Sequence, residues 1–258
     1  MKLILPLALC ISILVSCKTD DIKKPEPLDS LPTDSSGSLT IKIKNVVGSS
    51  NLVLGSTKYV NGNNDTFSVS VYKYYISNIK LSTTTSYTYA ESDSYYLVDQ
   101  SKSGSLNLIV KKVPKESYSS ISFYIGVDST HNVSGAQTGF LDPIHNMFWD
   151  WNQGYIMARL EGFSPQSIDP SKRILYHIGG YSGPLTGVKK VTLNFPNLAN
   201  VSANHTPTLN INADVDKWFT GITPIYFSVS PSVGDVSVES SSIANNYANM
   251  FTITSVVN

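Results

Sequence analysis

The sequence predicts an all-β protein: an antiparallel β-sandwich, a single domain, behind a lipoprotein signal and a flexible tether. Three observations predict it. The 258 residues include 15 Tyr and many Ser, Thr, Val and Ile, types that suit a pleated, half-buried surface, and they lack the Ala-, Glu- and Leu-rich runs that build helices. Apolar and polar residues alternate with period two in many short segments. Clusters rich in Gly, Asn, Asp and Pro separate those segments at the spacing of a sandwich.

Residues 1–16 are read as a lipoprotein signal peptide. Lys2 precedes an apolar stretch that ends in Leu14-Val15-Ser16-Cys17. That stretch is too short to span about 30 Å of hydrocarbon, which takes roughly 20 apolar residues, and has the form of a cleaved segment. The last four residues form a lipobox, so Cys17 is expected to become the acylated first residue of the mature protein and to anchor it in the outer membrane. The second cysteine, Cys10, lies in the removed part, which leaves the exported chain without a thiol pair for a disulfide or a thiolate metal site. Residues 17–37, rich in charge, Pro and Ser, form a tether. Within them, Lys18-Thr19-Asp20-Asp21 resembles the acidic export signal that carries Bacteroidetes lipoproteins to the cell surface.

The β domain is expected over residues 38–258. Leu39, Ile41 and Ile43 alternate with Thr40, Lys42 and Lys44, the period of a half-buried strand over residues 39–47. The same pattern predicts strands over 67–73, 75–82, 95–98, 106–110, 120–127, 155–161, 173–179, 188–195, 208–215, 225–229 and 250–257. Asn61-Gly62-Asn63-Asn64-Asp65 and Gly179-Gly180-Tyr181-Ser182-Gly183-Pro184 are the plainest turns between them. Short helical turns are expected near 216–219 and 242–250.

Nineteen basic residues balance 19 acidic ones, so no broad positive field exists to attract nucleic acid or an anionic membrane surface. The sequence has no Gly-rich phosphate loop, no Gly-x-Ser-x-Gly elbow and no His-Glu-x-x-His, and no nucleophile–base pairing can be read from it. His131 and His205 fall in turns and read as solvated. Chemistry concentrates in residues 139–162, which hold His145, Met147, Trp149, Trp151 and Met157. Trp149 and Trp151, two apart, share a side of an extended segment. Two aromatics so placed plug a core or stack across a sheet. Alternatively they floor a site in which the imidazole of His145 and the thioether of Met147 hold a soft or borderline metal, copper above all.

Tyr74-Tyr75-Ile76-Ser77-Asn78-Ile79, Tyr96-Leu97-Val98-Asp99, Phe123-Tyr124-Ile125-Gly126-Val127-Asp128, Met147-Phe148-Trp149-Asp150-Trp151-Asn152-Gln153-Gly154-Tyr155, Leu160-Glu161-Gly162 and Tyr176-His177-Ile178-Gly179-Gly180, in that order, resemble the MbnP-like copper-binding family over roughly residues 39–220. In that family's characterised copper sites, a tryptophan is oxidised to kynurenine by a partner dihaem, peroxidase-like enzyme and joins histidine side chains around copper. The resemblance implies His177 as an imidazole ligand and Trp149 or Trp151 as the indole beside the metal. The first strand carries no histidine that could complete a site of the family's kind. His145 is expected as a second imidazole ligand and Met147 as a soft donor for Cu(I), which requires the His145 turn and His177 to converge. The protein is expected to bind copper and catalyse nothing itself. An alternative of another class is a surface glycan- or protein-binding module without a metal.

Overall fold

A computed structural model describes residues 36–150 and 153–258. The signal and residues 17–35 of the tether, with Cys17, and also Trp151, lie outside the described residues, while Ser36 and Gly37, expected in the tether, begin the first strand. In chain order the strands are β1 Ser36–Val47, β2 Ser50–Asn51, β3 Tyr59–Val60, β4 Thr66–Thr83, β5 Thr88–Ala90, β6 Tyr95–Asp99, β7 Asn107–Pro114, β8 Ser117–Ile125, β9 Ala158–Phe163, β10 Arg173–Ile178, β11 Lys189–Asn200, β12 Thr208–Asp214, β13 Ser232–Val233 and β14 Phe251–Val257. Two α-helices, α1 Ser129–Val133 and α2 Val238–Tyr247, and short 3₁₀ turns complete the described elements. None of the described helices is long and apolar enough to cross a membrane.

The fold is all-β. One sheet runs β14-β12-β1-β2, with β7 also on β1; the other runs β11-β8-β4-β9-β10-β13, with β3, β5 and β6 on β4. Their inner faces share one core: Ile41 and Ile43 of β1 and Leu209 and Ile211 of β12 meet Tyr72, Tyr74, Phe123 and Tyr176 of the larger sheet. Phe251 packs edge-on against both Tyr74 and Phe123, at 5.8 and 5.1 Å between ring centroids. Edge-to-face contact is the arrangement that the ring quadrupoles favour.

The alternating pattern locates most strands but not their partners. Most pairings are antiparallel as expected, yet β1 pairs β12 in parallel from Thr40↔Thr208 to Val46↔Asp214, and β10 pairs β13 in parallel, so the sheets are mixed. Segments 67–73 and 75–82 are one strand, β4, which pairs with β9 along Ser68–Tyr74 and with β8 from Ile76 onward. Its period breaks because Tyr72, Tyr74 and Ile76 face the main core while Tyr75, also 0% exposed, is buried on the opposite face. Segment 225–229 is not a strand. Ile225 and Phe227 are buried and Tyr226 is exposed, which imitates period two, but the Phe227 amide donates to the Asp65 carboxylate at 3.1 Å and the Ser230 amide to the Tyr226 carbonyl at 2.8 Å. The expected helical turns appear as a 3₁₀ turn over Val215–Trp218 and as α2, which carries a Ser237–Ser240 capping box that satisfies two amides at its start.

Candidate functional site

Residues 126–150 and 153–157 lie on the outer face of the larger sheet, where Val127, Leu141, Met147, Tyr155, Ile156 and Met157 build a second core with Tyr75 and Leu97. Its frame is polar. Asn132 donates from Nδ2 to the carbonyls of Val127 (2.6 Å) and Asp128 (2.9 Å), and its Oδ1 accepts from the Tyr155 amide at 2.8 Å. The Tyr155 hydroxyl donates to the Leu141 carbonyl at 2.8 Å. Segments 147–149 and 154–156 pair as a short hairpin through the Ile156 amide to the Met147 carbonyl (2.9 Å) and the Trp149 amide to the Gly154 carbonyl (3.0 Å). The amide of Met157 then donates to the Ile178 carbonyl at 2.7 Å, which brings the hairpin to the end of β10.

Here the second core meets a charged row. Lys73 of β4, Arg159 of β9 and His177 of β10 stand opposite one another across three strands, on the outward face because Tyr74, Leu160 and Tyr176 point inward. Glu161, two residues along β9, shares that face. His177 Nε2 lies 2.7 Å from Glu161 Oε1, and Arg159 donates to the same oxygen from Nε at 2.7 Å and Nη2 at 2.6 Å. Burial raises the Glu161 pKa, but the hydrogen bonds from His177 and Arg159 outweigh it and hold the carboxyl below its usual range. Burial lowers the His177 pKa; Glu161 opposes this and Arg159 adds to it, so the ring is held neutral more strongly than usual. In a neutral ring facing a carboxylate, Nε2 carries the proton and Nδ1 the lone pair.

The Trp149 indole covers the end of the same strand. A Cβ placed on Gly179 would come within 2.1 Å of Trp149 Cζ3. Gly179 follows His177 by two residues and lies just beyond the last residue of β10. The His145 turn reaches the row through its backbone: Lys73 Nζ donates to the His145 carbonyl at 3.1 Å and Arg159 Nη1 to the Asn146 carbonyl at 2.6 Å. The His145 ring points elsewhere, with Nε2 2.9 Å from the Gly139 carbonyl. Met147 is 0% exposed inside the second core. The structure therefore places Trp149 against Gly179, two residues beyond His177, with the carbonyls of His145 and Asn146 held by Lys73 and Arg159 and with Met147 serving as packing.

Sequence reasoning singled out neither Arg159 nor Lys73, and it recognised Glu161 only as part of a motif. The available signal was Arg159 and Glu161 spaced two apart on the strand that pairs with the His177 strand; it becomes readable only with the register. A second cluster was missed altogether. His131, expected to be solvated, has Nδ1 2.6 Å from the Tyr95 hydroxyl, which itself donates to Asp128. Asp128 caps α1 through the His131 amide and accepts from Asn78 Nδ2 at 2.8 Å. His205 is exposed, in a turn closed with Ser202.

Burial raises the Asp128 pKa, but the hydrogen bonds from Tyr95, Asn78 and His131 outweigh it and bring the carboxyl down to about 2. A carboxylate with a depressed folded-state pKa stabilises the fold above its unfolded value and loses that contribution as pH falls through the folded value. Since Asp128 is 29% exposed, solvent screening reduces the effect to roughly 1–2 kcal/mol. Melting temperatures between about pH 5 and pH 2 are expected to fall more steeply for the parent than for Asp128→Asn, which is less stable at the upper end of that range.

The fold and the site define a class: an all-β two-sheet domain whose surface hairpin seats an indole at the end of the strand that carries a carboxylate-held imidazole. The chain belongs to the MbnP family, whose profile matches residues 36–235. The fold is similar to that of MbnP from Methylosinus trichosporium, at 14% sequence identity, over 79% of this chain and 83% of that one, with a TM-score of 0.51. No curated protein matches the chain.

Proposed function

We propose that this MbnP-family protein is a lipoprotein anchored to the outer membrane through Cys17, and that it binds copper at His177 without catalysing a reaction. The observation that carries this reading is the Glu161–His177 pair on the strand whose end Trp149 covers. A ligating histidine commonly donates its other ring N–H to a carboxylate, which fixes the ring and its tautomer; Glu161 holds Nε2 in that manner and leaves Nδ1 as the donor to a metal. Imidazole suits copper, and a ring kept neutral needs no deprotonation before it binds.

Among the described residues, no group of three or more His, Cys, Asp and Glu side chains forms a metal cluster. The site thus relies on His177 and on a further donor from the Trp149 position. An indole N–H is a donor only, so Trp149 contributes a ligand after oxidation, the role that a dihaem partner enzyme plays for the family. Arg159 and Lys73 are positioning residues, holding Glu161 and the carbonyls of residues 145–146.

Competitive Cu(I) titration of protein purified from its native host tests the reading. Replacing His177 by Ala is expected to weaken binding by at least about 100-fold, and Glu161→Gln by about 10–100-fold, the size of an outer-shell loss. His205→Ala leaves it unchanged. Equal affinity in the parent and His177→Ala, or none in the parent, overturns the proposal. The anchor is tested separately: Cys17→Ala is expected to move the protein from the membrane to the soluble fraction, since stable anchoring takes at least two acyl chains. A variant that still sediments with membranes contradicts it.

A further inference from the structure

Away from His177, we infer that the Tyr95–His131 cluster forms one wall of a binding site for a neutral saccharide. It borders a cavity of about 320 Å³, at the small end of ligand sites and sized for a sugar residue rather than a chain. The walls pair flat apolar faces with fixed hydrogen-bonding groups. Phe140, 49% exposed, lies against Tyr96 at 5.8 Å and 38°, while the Tyr95 and His131 rings meet at 4.2 Å, tilted by 45°. Exposed aromatic faces of this kind cover the C–H faces of pyranose rings. Asp93, Gln137 and Thr138 share the lining, a set of side chains that can both donate to and accept from sugar hydroxyls.

The wall is rigid before any ligand arrives. The single proton of the Tyr95 hydroxyl goes to Asp128. His131 Nδ1 lies 2.6 Å from the Tyr95 hydroxyl oxygen, whose proton is already committed, so Nδ1 is the donor between them. Asp128 also takes hydrogen bonds from Asn78 and from the His131 amide. Side chains held in this way lose little entropy on binding. Charge selects among polar ligands. Asp93 lines the cavity and Asp128 stands behind it, with no Lys or Arg in the lining, so phosphorylated, sulfated and uronic acid ligands are repelled and neutral hydroxyl-rich ones are not.

The test is saturation-transfer NMR on the copper-free full-length lipoprotein in a non-glycosidic detergent, with the methyl glycosides of glucose, galactose, mannose and N-acetylglucosamine as probes at millimolar concentration. At least one glycoside is expected to receive saturation from protein aromatic protons. Its affinity is expected to fall about tenfold in Phe140→Ala and to fall again in Gln137→Ala, while His177→Ala leaves it unchanged. Phe140 is exposed, so Phe140→Ala retains the fold, and an unchanged melting temperature in Phe140→Ala and Gln137→Ala confirms it. Transfer to none of the four glycosides, transfer unaffected by Phe140→Ala, or competition by inorganic phosphate overturns the proposal.

Discussion

Gly179→Ala is expected to expel the Trp149 indole from the end of β10 and to weaken copper binding about 10–100-fold. The added Cβ would lie 2.1 Å from Cζ3 and 2.6 Å from Cη2, far inside contact distance, and the indole is the group free to give way because it is only partly buried. Its displacement exposes apolar surface of the second core, at a cost of about 1–3 kcal/mol. Tryptophan fluorescence is expected to shift to longer wavelength as the ring enters water. His177 and its bond to Glu161 remain, so the variant separates the contribution of the indole from that of the imidazole. Parent-like emission together with parent-like Cu(I) affinity would show that the seat on Gly179 is irrelevant to the site.

Gly162→Ala is expected to be the most destabilising of the single substitutions considered. Its Cβ would sit 1.8 Å from the backbone oxygen of Ser68 and 3.1 Å from the Val69 Cα, and backbone in the middle of a sheet cannot step aside as a surface ring can. Gly162 pairs with Val69 next to the register shift between Val69 and Val71, so relief requires β9 to move away from β4. Overpacking of this kind costs about 3 kcal/mol, which for a domain of this size lowers the melting temperature by roughly 6–12 °C. Because β9 carries Arg159 and Glu161, the copper site is expected to weaken with the sheet. The two glycines of the Leu160-Glu161-Gly162 and His177-Ile178-Gly179 motifs thus have separate reasons: one admits a strand backbone, the other an indole.

Much of the fold was readable from the sequence because strands with one buried face print their period directly, as Leu39, Ile41 and Ile43 do. The rest was not, for three physical reasons. Period two says nothing about partners, so the parallel pairing of β1 with β12, some 170 residues apart in the chain, leaves no local trace. A strand buried on both faces loses its period, which is why Tyr72, Tyr74, Tyr75 and Ile76 split β4 into two. Residues 225–227 alternate in burial without a ladder, because Phe227 bonds to a side-chain carboxylate. The site was legible in the same uneven way. His177 and Trp149 carry the motif, and the fold brings them together. Glu161, which orients the imidazole, acts across strands, and His131 looked solvated because the Tyr95 hydroxyl that holds its ring comes from a distant part of the chain.

An anomalous difference map at the copper edge, from crystals of the Cu(I)-loaded protein, tests the central claim most directly. The account predicts one peak within bonding distance of His177 Nδ1, beside residue 149, with Glu161 still bound to Nε2. A peak on the Nε2 side in place of Glu161, at His131 or His205, or no ordered copper at all, would contradict it.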